Sequence, residues 1–378
     1  MKVLIQQPRL PHYRVPLFEK LVQLHGWDIT LAYTPCAGSG ESGLEVTAGN
    51  FLFRSLHLSL RRYAIGRLRL NIQRGLLDCL RAGRWDAVFL EGAQSNFSGF
   101  LAARWCRRHR VPCIWWTKGY FEPQNALRRL LHRIQLREPH AFLPYGDSTH
   151  AFLTQYGVLP EQIVRAYNTV DVEALVNRRV HLTKVGLEML SASFGERIAR
   201  PIITYVGRLI TSKRVDDLLK GVRDLCQQGV PCSVWIIGDG PERVRLEQLA
   251  THLDIQRYTV FVGQVPVDGD SAALSVSDVS VFPGVHGLAI NQAMALGVPV
   301  IISDLPGPDG EMVIHQRTGW RFLQGEIAAL VQTIQEALAS PQRARIVQDA
   351  QEEILGRRTL QHYAKAFYEA VQCAQSFC

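Results

Sequence analysis

The chain has 378 residues, 47% of them hydrophobic, and no low-complexity tract, a globular composition on a length that exceeds one ordinary core, so two domains are expected. No apolar run reaches the roughly 18 residues of a membrane span, Pro8 and Arg9 interrupt the N-terminal stretch too early for a signal-peptide core, and eight scattered cysteines lack CxxC or paired-histidine spacing, so a cytoplasmic protein with reduced thiols and no zinc or disulfide framework is expected. The formal charge of +8 comes entirely from residues 1–195, where 25 Lys+Arg meet 14 Asp+Glu; an anionic partner is expected there, whether a lipid surface, a phosphorylated acceptor or nucleic acid.

In chain order, Val3 to Gln6 reads as a strand and Val15 to Leu24 as a helix with Val15, Phe18, Leu21 and Val22 inward. The loop between them, QPRLPHYR, brings Arg9, His12 and Arg14 to the strand's end. Trp27 to Ala32 is a second strand, and residues 34–49 read as a mobile loop. Ile65 to Leu80 is expected to be an amphipathic helix, apolar at Ile65, Leu68, Ile72, Leu76 and Leu80, with Arg67, Arg74 and Arg81 on another face. Ala87 to Leu90 is a strand, and Glu91 opens the loop EGAQSNFSG, which holds Asn96 and leads to a helix from Phe100 to Arg108.

Pro112 to Trp116 is a strand closed by TKGYFEPQ, which carries Lys118. Ala126 to Leu136 is a helix with Arg129, Arg133 and Arg137 as an exposed stripe. Ala141 to Pro144 is a strand, Ser148 caps a helix from His150 to Tyr156, and Ile163 to Ala166 is the last strand of this half. An arginine stripe is ordinarily just a solvated face. Two of them on so basic a half favour an anionic membrane surface, with the protein peripheral at its inner face. Nucleic acid is not the expected partner, because no recognised motif accompanies the charge.

Residues 176–200 carry no clear strand and read as a linker. From Pro201 the alternation restarts, with strands at Ile202–Val206, Ser233–Ile237 and Tyr258–Val262, and helices at Asp216–Gln228, Pro241–Leu253 and Ser271–Val276. The stretch VSVFPGVHGLAINQAMALGVPVII, from Val279 to Ile302, then reads as strand, glycine turn, helix from Leu288 to Ala295, glycine stop and strand. Gly319–Phe322 is a short strand, and helices follow at Glu326–Ala339, Pro341–Leu355 and Leu360–Ser376. The pattern predicts an α/β protein of two doubly wound, Rossmann-like domains facing across a cleft. Their bounds are residues 1–175 and 201–358, with 359–378 packing back on the first domain.

In such a sheet, the turn Gly284–Gly287 lies beyond the carboxyl end of a strand, where free N–H groups before a helix can seat a phosphate. An unliganded βαβ turn would have the same sequence. Glycine at 284 and 287 lets the backbone approach a ligand. Arg208 and Lys213, following Gly207 in VGRLITSKR, add two cations suited to a diphosphate leaving group. Gly238, Gly240 and Gly263 form further tight loops that a nucleotide base can approach.

VGRL…K, IIGDGPER, FVGQV, PGVHGLAINQAMALGVPVI and GPDGE…TGW, in this order, resemble glycosyltransferase family 4; PHYRVPLFEKL, PYGDST and YNTVD extend the likeness into the first half. The resemblance implies GT-B architecture and transfer with retention at the anomeric carbon. It implies that Arg208 and Lys213 hold the diphosphate of a nucleotide-diphosphate sugar, with Gly287 and Leu288 presenting N–H groups. The donor belongs on the second domain, and a glycolipid or polysaccharide acceptor on the first, near Arg14, Glu91 and Asn96. No metal and no cofactor is implied. Where the family commonly has two glutamates eight positions apart, this chain has Gly284 and Gln292, a PG..GL variant in which Gln292 can still bond ribose hydroxyls. Lys118 stands where relatives often have a histidine, and it joins the expected catalytic set. His12 and His286 are the histidines placed for chemistry, although a lone histidine is more often structural. Glu311 is expected to orient the donor loop. A nucleotide-sugar epimerase of the same fold and a non-catalytic nucleotide-sugar-binding subunit are the alternatives.

Overall fold

The computed structural model describes residues 1–35, 49–65, 68–119, 126–265 and 268–378, so most of the loop expected over 34–49 and most of TKGYFEPQ fall outside the described residues. The chain divides into two units, Met1–Val170 with Leu360–Cys378, and Asp171–Thr359. The first unit contains β1 (Lys2–Gln6), α1 (Val15–His25), β2 (Asp28–Tyr33), β3 (Arg54–His57), β4 (Ser59–Ile65), β5 (Leu68–Arg74) and α2 (Leu76–Ala82). It continues through β6 (Ala87–Glu91), α3 (Phe97–Arg108), β7 (Cys113–Thr117), α4 (Ala126–Gln135), β8 (Ala141–Pro144) and α5 (Asp147–Gln155). Its six-stranded sheet runs β3-β2-β1-β6-β7-β8, every neighbouring pair parallel. Helices cover both faces, so the central strands are buried on both sides and are almost continuously apolar, as in Val3–Ile5, Ala87–Leu90 and Cys113–Trp116.

Three expectations change here. The helix expected over Ile65–Leu80 is instead the antiparallel hairpin β4–β5, with only Leu76–Ala82 helical. Leu68, Leu70 and Ile72 alternate with Arg69, Asn71 and Gln73, a period-two pattern that competes with the helical one in the same residues. Ile163–Ala166 forms no strand, only a bridge from Ile163 to Phe142. Ser148 does not cap α5; Gly146 occupies that position and Asp147 lies in the first turn.

The second unit begins with α6 (Val172–Asn177) and α7 (Arg179–Phe194). It continues with β9 (Ile202–Val206), α8 (Val215–Gln227), β10 (Ser233–Ile237), α9 (Arg243–His252), β11 (Thr259–Gly263) and α10 (Gly269–Ser275). Next come β12 (Val279–Phe282), α11 (Ala289–Ala295), β13 (Val300–Ser303), β14 (Trp320–Phe322), α12 (Ile327–Ala339) and α13 (Arg343–Arg357). Its six-stranded parallel sheet runs β11-β10-β9-β12-β13-β14. Where a linker is expected at 176–200, the chain forms α7, which packs so closely on α10 that a Cβ at Gly186 would lie 2.2 Å from the Ala272 carbonyl oxygen.

The last helix, α14 (Leu360–Ser376), returns to the first unit. There Trp116 Nε1 donates to Tyr363 Oη at 2.5 Å, and the Phe367 ring sits 4.8 Å from that of Phe89. Once the hairpin is set aside, both sheets have the same strand order, and the winding reverses between β1 and β6 and between β9 and β12. Those reversals are where an open α/β sheet binds ligands, just beyond the strands' carboxyl ends. Among the described residues, no helix is long and apolar enough to cross a membrane.

Candidate active site

At the reversal in the second sheet, two loops are stitched together. One follows β9 (residues 207–214) and the other follows β12 (residues 283–288). Val285 N–H donates to the Ser212 carbonyl at 2.8 Å, and Lys213 Nζ donates to the carbonyls of Val285 and His286 at 2.6 and 3.3 Å. The half-buried ammonium therefore lies beside Gly287, where an added Cβ would be 3.4 Å from Nζ. Arg208 is exposed in the same loop, its backbone anchored by Tyr205 Oη donating to the Arg208 carbonyl at 3.0 Å. Gly287 and Leu288 immediately precede α11, so their N–H groups have no acceptor within that helix.

The glycines divide into two kinds. A Cβ at Gly284 would lie 2.3 Å from the Ser212 carbonyl oxygen, one at Gly238 2.1 Å from that of Gly207, and one at Gly240 2.3 Å from that of Leu209. Backbone from the neighbouring loop fills those spaces, so these three glycines let loops pack on loops rather than admit a ligand. At Gly263 the guanidinium of Arg243 covers the position, with Nη1 at 2.6 Å. At Gly287 the near neighbour is likewise a side chain's flexible end, Lys213 Nζ, and it stands at the edge of ordinary contact distance.

His286 is buried, its ring against Gly310 and its Nε2 3.5 Å from Ser303 Oγ. Burial pulls the imidazole down to about 4, with Asp309 opposing and Arg321 and Lys213 reinforcing the shift. It is neutral near pH 7. Gln292, on α11, donates through Nε2 to Asp270 Oδ2 at 3.1 Å and to Ser271 Oγ at 3.2 Å, so its amide donors are engaged within the unit. Glu311 lies 3.5 Å from Nη2 of the buried Arg358, whose Nε donates to Glu353 at 3.0 Å. The loop carrying Glu311 is further held by Arg321, which bonds Asp304 and the carbonyls of Gly310 and Val313.

In the first sheet, the reversal is built on a side-chain network that local spacing does not reveal. Gln6 Oε1 accepts from Glu91 N–H at 2.9 Å and from Asn96 Nδ2 at 3.1 Å, while Gln6 Nε2 bonds Gln73. Gln73 Nε2 in turn donates to Gln7 O and Thr34 Oγ1 at 3.0 and 2.9 Å. Asn96 is buried, and its Oδ1 caps α3 by accepting from Gly99 N–H at 2.9 Å; its role here is in the fold. Glu91 has its backbone fixed at both ends, and burial pushes its carboxyl up to about 7.

Arg14 is also buried, 4.3 Å above the Trp116 ring and bonded through Nη2 to Tyr145 Oη at 3.2 Å, so its charge is spent inside the unit. His12 lies in the turn before it, edge-on to Tyr13. Lys118 is exposed after β7, and its carbonyl accepts from Thr149 Oγ1 at 2.7 Å. Thus Arg208, Lys213, His286 and Gly287 share one reversal, while Glu91 and Asn96 share the other through Gln6. Sequence reading missed Gln6, Gln73, Asp270, Arg321 and Arg358. The only local signal was the polar pair Gln6-Gln7 at the end of an apolar strand.

Residues 190–353 match the family model for glycosyl transferases group 1. A 2-deoxystreptamine glucosyltransferase from Streptomyces kanamyceticus is 27% identical over 305 residues, covering 75% of this chain and 77% of the relative. A GDP-mannose-dependent alpha-mannosyltransferase from Mycolicibacterium smegmatis is 34% identical over 163 residues, 42% of this chain and only 40% of the relative's length. Among solved structures, Anabaena Alr3699/HepE in complex with UDP superposes with a TM-score of 0.74 at 15% identity, over 98% of this chain and 100% of that one. Sucrose-phosphate synthase from Thermosynechococcus elongatus gives 0.72 at 16% identity, over 98% of both chains. The chain therefore has the GT-B fold, residues 190–353 are similar to glycosyl transferases group 1, and the relatives that it matches are glycosyltransferases.

Proposed function

We propose that this chain is a retaining glycosyltransferase that moves a sugar from a nucleotide-diphosphate sugar to a hydroxyl of a glycolipid or polysaccharide. The observation that carries the reading is the loop pair at the β9/β12 reversal, where Lys213 is held beside Gly287 and Arg208 stands exposed in the same loop. Two cations and N–H groups that have no acceptor within α11 suit a diphosphate whose negative charge grows as its bond to the sugar breaks. The anomeric C–O bond to phosphate cleaves, the electron pair leaves with the diphosphate, and Arg208 and Lys213 stabilise it. The acceptor oxygen bonds the anomeric carbon on the face just vacated, and its proton passes to the departing phosphate oxygen. No carboxylate base is needed for that transfer. His286, neutral near pH 7, serves as a hydrogen-bonding group rather than a charge. Relatives named for glucose and GDP-mannose support a hexose as the transferred group.

The test is incubation with UDP-, GDP- and ADP-sugars, with and without lipid or saccharide acceptors. Release of nucleoside diphosphate that rises with acceptor, and a product whose anomeric coupling matches the donor's, is the expected result. Sugar interconversion without acceptor would favour the epimerase reading. Binding without turnover would favour a non-catalytic subunit.

A further inference from the structure

The hairpin β4–β5 is more than a connection. Two-stranded hairpins are marginal in water by themselves, yet residues 61–64 of this one are exposed on both faces. Its base is anchored through Gln73, whose side chain turns inward to Gln6 and Thr34. Side chains alternate along a strand. The face opposite Gln73 therefore carries Ile72, its cross-strand partner Arg61, and the pair Tyr63 and Leu70. Tyr63 is 45% exposed.

Helix α4 has the same character. Leu130 is 56% and Ile134 39% exposed, and both are flanked by exposed Arg129 and Arg133. The two elements meet the same short loop. Asn71 N–H donates to Ser95 O at 2.6 Å, while Gln94 Nε2 donates to Arg128 O at 3.0 Å and Gln94 O accepts from Gln135 Nε2 at 3.2 Å. Residues 94 and 95 are adjacent, about 4 Å apart along the chain, so hairpin and helix flank one point at the edge of the first unit. Together residues 59–74 and 126–137 hold nine arginines and not one acid.

We propose that the hairpin and α4 form one docking surface for an anionic lipid bilayer. The arginines take the phosphate headgroups, and Tyr63, Leu130 and Ile134 enter the interface between them. Charge complementarity selects an anionic partner, and the exposed aliphatic Leu130 and Ile134 among the arginines select a bilayer over a nucleic acid, to which only Tyr63 would offer a stacking face. The surface lies beside the loop after β6, so an acceptor carried on a lipid would be delivered to the first unit. The inference does not depend on the transferase reading.

The full chain is sedimented with phosphatidylcholine vesicles, with vesicles containing about one-third phosphatidylglycerol, and with oligonucleotides, at low salt and at about 0.5 M salt. Binding to the anionic vesicles at least tenfold tighter than to the neutral ones is expected, weakening as salt rises. The pair Arg61→Glu with Arg62→Glu, and separately Arg129→Glu with Arg133→Glu, should each weaken it about tenfold or more. Leu130→Asn with Ile134→Asn should remove the binding that survives high salt. Hydrogen exchange on the unmodified protein gives a readout free of folding effects: vesicles should protect residues 59–65, 68–74 and 126–135. Equal binding to both vesicle types, unchanged exchange in those segments, or tighter binding to the oligonucleotide would overturn the assignment.

Discussion

Gln292 illustrates how one side chain's neighbours decide what it can offer a ligand. Its amide donors point at Asp270 and Ser271, so its carbonyl oxygen is what remains to accept a hydrogen bond from a hydroxyl. Restoring a glutamate there would bring two carboxylates within about 3 Å of each other, which cannot both ionise without cost. Gln292→Glu should therefore weaken nucleoside diphosphate binding about tenfold at pH 8 and less at pH 5, and Asp270→Asn in the same chain should restore it. Titration calorimetry at the two pH values checks this; equal affinity of the single and double variants at pH 8 would contradict it. The sequence made the position legible but not the partner, because Asp270 precedes Gln292 by 22 residues with no periodicity linking them. The same applies to the glycines. A glycine packed against a neighbouring loop's backbone at 238, 240 or 284 and one facing a lysine's flexible end at 287 are the same letter.

Among the elements, the core strands were legible because burial on both faces writes long apolar runs into them, as in Ile202–Val206 and Ser233–Ile237. The hairpin was not, because Ile65, Leu68, Ile72 and Leu76 satisfy a helical period while the intervening residues satisfy a strand period. Gln73 ties that hairpin to β1. Gln73→Leu takes the Gln73 partner from Gln6 Nε2 and Thr34 Oγ1 and should cost about 1–3 kcal/mol in urea unfolding. An unchanged midpoint would show that the network is dispensable.

Helix packing also sets a pH response. Burial pulls His132 on α4, His140 before β8 and His286 each to about 4, against 6.5 in the unfolded chain. The unfolded chain binds those protons first, so their contribution is full above about pH 6.5 and is lost as pH falls through about 4. Glu91, held up to about 7 against 4.5 unfolded, works in the opposite sense: its contribution is present below about 4.5 and lost as pH rises through about 7. The unfolding midpoint should therefore fall on acidification from pH 6.5 to 4.5. Glu91→Gln should remove part of the loss between pH 5 and 8; identical pH profiles for wild type and variant would contradict that.

At the scale of the whole molecule, two sheets of the same strand order are joined by one chain that crosses at residue 171 and returns at residue 360. The alternation of strands and helices announced that plan from sequence, since parallel sheets require a crossover between successive strands. The second unit's reversal then gathers Arg208, Lys213 and Gly287, on which the proposed function rests. The most direct measurement is calorimetric titration of the wild type and of Arg208→Ala with Lys213→Ala against a nucleoside diphosphate and its parent nucleoside. The diphosphate should bind the wild type far more tightly than the nucleoside, and the double variant should lose about a hundredfold of that preference while unfolding near the wild-type temperature. A double variant that still prefers the diphosphate as strongly as the wild type would place the anion elsewhere and contradict the account.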